Sequence, residues 1–237
     1  MIPLGQVARV PAFPWMTYLL IVANVVAFLA ELRSPDPDRF VAAFATIPYD
    51  IEHHIGLAAP SPPDPYLTLI TAQFMHASWW HLGSNMLFLF VFGPMIEYLC
   101  GPIRYLVLYL VCGVIGNLAQ VAIMPGSHVP SIGASGAIAG ILGAYLVNFP
   151  INRINTLILI VVIPLFVRLP AMLIIGLWAV AQFFDGFGAV AGNTIASQGG
   201  GVAYFTHIGG FLAGVILIGL FSTPLGRSAH LQVSFVR

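Results

Sequence analysis

The sequence predicts an all-α polytopic membrane protein, and three observations carry that prediction. Of 237 residues, 59% are hydrophobic and only 7% charged. The mean hydropathy of +0.96 lies far above that of an ordinary soluble domain. Measured against the about 20 apolar residues that a membrane helix needs, six segments read as spans: 15–32, 79–99, 103–124, 135–149, 169–186 and 203–222. They fill most of the length, so one domain over 1–237 is expected. The net charge is zero and there is no lysine, which removes the polybasic surface that nucleic acid would need. No nucleic-acid partner is expected.

The first apolar run is as long as a full span, and no small-residue cleavage site follows "LAEL", so it is expected to remain as helix one. The connection from Arg33 to Ser78 holds most of the acidic residues and the tract "APSPPDPY", which cannot continue a helix. That loop belongs outside the bilayer or at its interface, and its length suggests a task. Trp79 and Trp80 mark the outer end of helix two. Cys100 and Cys112 form no CxxC or metal spacing and read as packing residues.

Helix four, over 135–149, is short: at about 1.5 Å per residue it reaches roughly 22 Å of a roughly 30 Å hydrocarbon layer. The uncharged "GSHVPSIGA" before it is tolerated at membrane depth only if it is buried or lines a wet cavity. A recess opening outward, with Ser135 at its floor, is therefore expected. The run 154–186 is too long for one span and is broken by Pro164, Arg168 and Pro170. Its first part is expected at the inner interface, with the span starting near Leu169. The glycine-rich outer loop 185–202 reads either as a mobile cap or as a simple connection. Arginines are retained on the cytoplasmic side. Placing Arg9, Arg104, Arg153, Arg168, Arg227 and Arg237 there, with Arg33 and Arg39 outside, puts both termini in the cytoplasm.

Polar side chains within spans need a reason. Four fall at the outward ends of three helices: His81 and Asn85, Ser135, and His207. His81 and Asn85 are four apart and share one helical face. Ser135 opens a helix, where free backbone N–H groups favour a developing negative charge. Gly210 and Gly214 lie on the His207 side of helix six, and helix four offers Gly136 and Gly140. Small residues at that spacing let two membrane helices approach closely, which would bring His207 to Ser135 as a base, imidazole having an ordinary pKa near about 6.5. The two would form a catalytic pair. Each feature also has a plainer reading: an N-cap for the serine, interhelical hydrogen bonds for the histidines and asparagine, packing for the glycines. No plain reading covers all four at one depth. Asn117, Gln120, Gln182 and Glu97 read as structural.

The segments "HASWWHLGSNM" at 76–86, "GASGAIAG" at 133–140 and "THIGGFLAG" at 206–214 resemble, in order and spacing, the rhomboid intramembrane serine proteases. The resemblance covers roughly 60–222. It implies a six-transmembrane-helix rhomboid fold whose short helix four starts at the catalytic serine, and endopeptidase action on single-span transmembrane proteins near the outer face of the cell membrane, without cofactor or metal. Ser135 carries over as nucleophile and His207 as general base. His81, Asn85 and the Ser135 N–H correspond to the oxyanion hole, His76 to a structural histidine, and Gly133 to the first glycine of GxSG. Two departures stand out. The Trp-Arg pair of the first outer loop is missing, and Ala139 stands where some members carry an aromatic that stacks on the histidine. Rival readings are a client-binding relative without protease activity, a small transporter or channel, and a metal site of His76, His81 and His207.

Overall fold

Helix boundaries fall where the sequence supplies end groups for the backbone. The computed structural model describes residues 1–8, 10–56, 61–62, 64–160, 163–190 and 203–223. Its elements are β1 (Ile2–Gln6), α1 (Trp15–Arg33), α2 (Pro37–Phe44), α3 (Pro48–Glu52), α4 (Thr68–Thr71), α5 (Trp79–Cys100), α6 (Pro102–Ile123), α7 (Ser135–Asn148), β2 (Arg153–Ile160), β3 (Ile163–Pro170), α8 (Ala171–Val190) and α9 (Tyr204–Phe221), with 3-10 turns at Pro65–Leu67 and Ala72–Phe74. Among the described residues, α1, α5, α6, α8 and α9 are long and apolar enough to cross a membrane, and α7 is a shorter apolar helix. Ser78 caps α5, its Oγ accepting the His81 N–H at 3.1 Å. At the far end Gly101, with φ of 78°, makes a one-residue turn into α6, which opens on Pro102. Pro150 halts α7 after fourteen residues, roughly 20 Å of helix.

The all-α expectation needs correction, because β1, β2 and β3 form an antiparallel sheet in that order. The segment expected at the inner interface is the β2–β3 hairpin, with Arg153 opposite Pro170 and Ile160 opposite Ile163. Ile154, Thr156, Ile158, Ile160, Ile163 and Val167 are β-branched and fit extended chain. Pro164 and Pro170 bar a helix and are tolerated on β3 because it is an edge strand. The sheet is tied to α5 and to the C-terminal end of α7. Gln6 Nε2 donates to the Val91 carbonyl at 2.7 Å, and the Tyr145 hydroxyl donates to Gln6 Oε1 at 2.9 Å.

α7 is the central element, with Gly136 through Tyr145 all buried. Around it lie Leu89, Phe92, Met95 and Ile96 of α5 and Tyr105, Tyr109 and Cys112 of α6. Leu19, Val22 and Val26 on α1, and Leu212, Ile216 and Leu220 on α9, are exposed at three- and four-residue spacing. These outward stripes suit lipid rather than water. Lipid tails supply no hydrophobic drive between helices, so close backbone packing must hold them together. α7 and α9 meet this way: a Cβ on Gly210 would overlap the Gly136 carbonyl, and one on Gly214 the Gly140 carbonyl.

The buried Glu97 carboxylate near the end of α5 accepts the N–H groups of Met16 and Thr17 at 3.0 and 2.8 Å and the Thr17 hydroxyl at 2.7 Å. It thereby caps the start of α1 from a neighbouring helix. Glu97→Ala leaves three donors unpaired and is expected to cost on the order of 3 kcal/mol in thermal unfolding of the detergent-solubilised protein. A loss below about 1 kcal/mol would show that this cap carries little of the stability.

At the opposite end the loop lacking the Trp-Arg pair is held by Thr46. Its backbone exchanges hydrogen bonds with Ser131 at 3.1 and 2.8 Å, and its hydroxyl donates to the Thr68 carbonyl at 2.9 Å. The Thr71 hydroxyl adds a bond to the Phe44 carbonyl at 2.8 Å. These contacts pin the loop to the segment leading into α7.

Candidate active site

Ser135 is the first residue of α7, so its N–H is one of the first-turn donors without an intrahelical acceptor. His207 lies in the first turn of α9, and the glycine contacts of α7 with α9 set the distance between the two starts. His207 Nε2 is 2.7 Å from Ser135 Oγ, a hydrogen bond of normal length for a hydroxyl and an imidazole.

α5 brings His81 and Asn85 to the same place. The Ala77 N–H donates to His81 Nδ1 at 3.4 Å, which leaves Nε2 as the N–H end of the ring. That end faces the serine: a Cβ built on Gly133 would lie 2.8 Å from His81 Nε2 and 3.6 Å from Ser135 Oγ. Gly133 is required twice over, since its φ of 120° is also one that side chains rarely tolerate. Asn85 is only 6% exposed, and its Nδ2 has no hydrogen-bond partner among the described residues. A buried amide donor left unpaired is costly. An incoming acceptor would satisfy it.

These groups line a recess of about 730 Å³ that also touches Trp80, Ile138, Leu142 and Trp178. His76 does not line it. That ring is fully buried behind His81, edge-on to Phe28 and 5.1 Å from the His81 ring centroid. Gly210 and Gly214 act one step back, through helix packing. Among the described residues no group of three or more His, Cys, Asp and Glu side chains is placed to hold a metal ion.

Two residues beside His207 escaped the sequence reading. Gln182, which reads as structural in the sequence, presents Oε1 to His207 Nδ1 in a hydrogen bond, and the Trp178 ring lies 5.9 Å from the imidazole at 42°. Trp178 and Gln182 are four apart on α8, and a lone amide in an apolar span was the available signal. Thr206 joins the support, its hydroxyl 3.3 Å from Ser131 Oγ, which bonds in turn to Asn117. α8 runs on through Val190, and the remainder of the expected cap, 191–202, lies outside the described residues.

The sequence profile of the rhomboid domain matches residues 63–224, well over half of the chain and every recess residue named above. The chain belongs to the rhomboid family. This rhomboid is 32% identical over 158 residues to rhomboid-like protein 11, chloroplastic, of Arabidopsis thaliana, covering 65% of this chain and 51% of the relative. It is 32% identical over 160 residues to rhomboid protein 1, mitochondrial, of Saccharomyces cerevisiae, covering 63% and 40%. Rhomboid protease GluP of Bacillus subtilis is 33% identical over 159 residues, covering 63% and 29%. The match thus spans about half, or less, of the length of these relatives. In this rhomboid Ala139 is fully buried, and the flank of His207 is filled from α8 instead.

Proposed function

We propose that this rhomboid is an intramembrane serine endopeptidase that cleaves single-span transmembrane proteins through Ser135 and His207. The observation that carries the reading is the 2.7 Å contact between Ser135 Oγ and His207 Nε2 in a recess of a multi-pass membrane bundle. Ser135 Oγ attacks the carbonyl carbon of the scissile peptide bond while its proton passes to His207 Nε2. The negative charge that develops on the carbonyl oxygen is held by the Ser135 N–H, His81 Nε2–H and the unpaired Asn85 Nδ2–H. His207 then gives the proton to the leaving amine as the C–N bond breaks. Water reaching the recess hydrolyses the acyl-enzyme with His207 again as base.

In this reading the short α7 is a sixth span that starts below the outer surface, and both termini lie in the cytoplasm of a cell-membrane protein. A helix hides its carbonyls in hydrogen bonds. Substrates therefore unwind near the outer face before cleavage, which favours small or helix-breaking residues there. They arrive from the lipid.

Labelling the purified protein in lipid with a fluorophosphonate, and mapping the adduct by mass spectrometry, tests the proposal. An adduct on Ser135 is expected. Its absence from a demonstrably folded protein would favour client binding or transport. Asn85→Ala and His81→Ala, which spare the dyad, are each expected to slow cleavage of a reconstituted single-span substrate by about 10²–10³-fold. Rates within about threefold of the parent would remove those two side chains from the oxyanion site.

A further inference from the structure

We infer that Gln182 is a positioning residue for His207: its amide oxygen holds the imidazole in the tautomer that can accept the proton of Ser135. The inference rests on the proposed protease chemistry and deepens it.

Neutral imidazole carries its proton on one nitrogen, and only the other nitrogen can act as a base. His207 Nε2 faces Ser135 Oγ, so for Nε2 to act as the base the proton has to reside on Nδ1. Nδ1 points at Gln182 Oε1. An amide oxygen accepts and cannot donate, so with this orientation Nδ1 is the N–H end and Nε2 is left with its lone pair toward the serine. Among the described residues, no carboxylate is hydrogen-bonded to the ring. A neutral amide gives the same directional acceptor as a carboxylate without placing a charge in a low-dielectric span, where ionised groups are expensive.

Packing reinforces the arrangement. Trp178, one turn before Gln182, lies against the same imidazole and also touches Phe211, one turn after His207 on α9. α8 therefore presents two side chains to one ring, a tilted indole contact that limits its rotation and an acceptor that selects its tautomer. Ala139 on α7 is too small to do either.

The test compares Gln182→Met, which keeps length and apolar bulk but has no strong acceptor, with Gln182→Glu, which restores a carbonyl-type oxygen. Labelling of Ser135 by the fluorophosphonate is timed in the full chain in lipid. Side-chain nitrogen NMR of ¹⁵N-histidine protein, with the His207 signal assigned by its loss in His207→Ala, reports the tautomer. The parent is expected to show the proton on Nδ1. Gln182→Met is expected to label about 10- to 100-fold more slowly, by analogy with the loss of the outer hydrogen bond of a metal-ligating histidine, and to show a mixed or reversed tautomer. Gln182→Glu is expected to recover most of the rate. Parent labelling with an unchanged rate and unchanged nitrogen signals in Gln182→Met would overturn the positioning role and leave the protease reading intact. A parent that does not label at Ser135 would overturn both. Slow labelling in both variants with the Nδ1–H signal retained would reduce Gln182 to a packing role.

Discussion

Ser135→Ala and His207→Ala are each expected to abolish fluorophosphonate labelling and to lower cleavage of a reconstituted transmembrane substrate by about a thousandfold or more. The two changes act on one hydrogen bond of 2.7 Å, so the double variant should be no worse than either single one. Non-additivity of that kind is the mark of groups working as a unit. Ser135 lies at a helix start beside the recess, so Ser135→Ala should change the unfolding temperature little, whereas His207→Ala also loses the contacts with Gln182 and Trp178 of α8 and should lower it modestly. Residual cleavage within tenfold of the parent in His207→Ala would require a different base. The described residues near Ser135 offer His81 as the alternative, and His81→Ala would then become the decisive variant.

The second large effect concerns glycine. Gly214→Ala is expected to lower stability by about 1–3 kcal/mol or more, and to reduce labelling of Ser135 in the same measurement. The added Cβ would overlap the carbonyl of Gly140, which is backbone and cannot swing aside. The axes of α7 and α9 must separate. His207 and Ser135 sit at the starts of these two helices, so separation lengthens the bond between them, and about 1 Å of misplacement is enough to cost two orders of magnitude. Gly176→Ala is the matched control. A Cβ there meets nothing within 4 Å, and alanine is the better helix former by up to about 1 kcal/mol. The same chemical change should therefore destabilise at 214 and be neutral or stabilising at 176. Equal effects at both positions would mean that the α7–α9 contact is not glycine-limited.

Much of this was legible in the chain because membrane sequences carry loud signals. Apolar length marked α1, α5, α6, α8 and α9 within a few residues of their ends, since a lipid core forces every backbone polar group into helix or closed sheet. Pro150 and the GxSG motif bounded α7. The spacing of His81 with Asn85, and of Gly210 with Gly214, declared shared faces because the helical repeat leaves no freedom in which residues lie together. The β2–β3 hairpin was not legible. Over eight residues, an apolar run such as "RINTLILI" satisfies a buried strand and a helix segment alike, and its pairing with β1 joins residues some 150 positions apart. No local rule reaches that far.

Sequence alone therefore determined the membrane class, the helices and the set of polar residues that apolar surroundings make costly. Tertiary structure decided how they meet. That Ser135 and His207 lie 2.7 Å apart follows from two helices touching through bare backbone. That Gln182 rather than a residue at 139 addresses the imidazole follows from where α8 docks. Helical periodicity fixes which face a side chain occupies, whereas which faces oppose each other depends on the packing of the whole bundle.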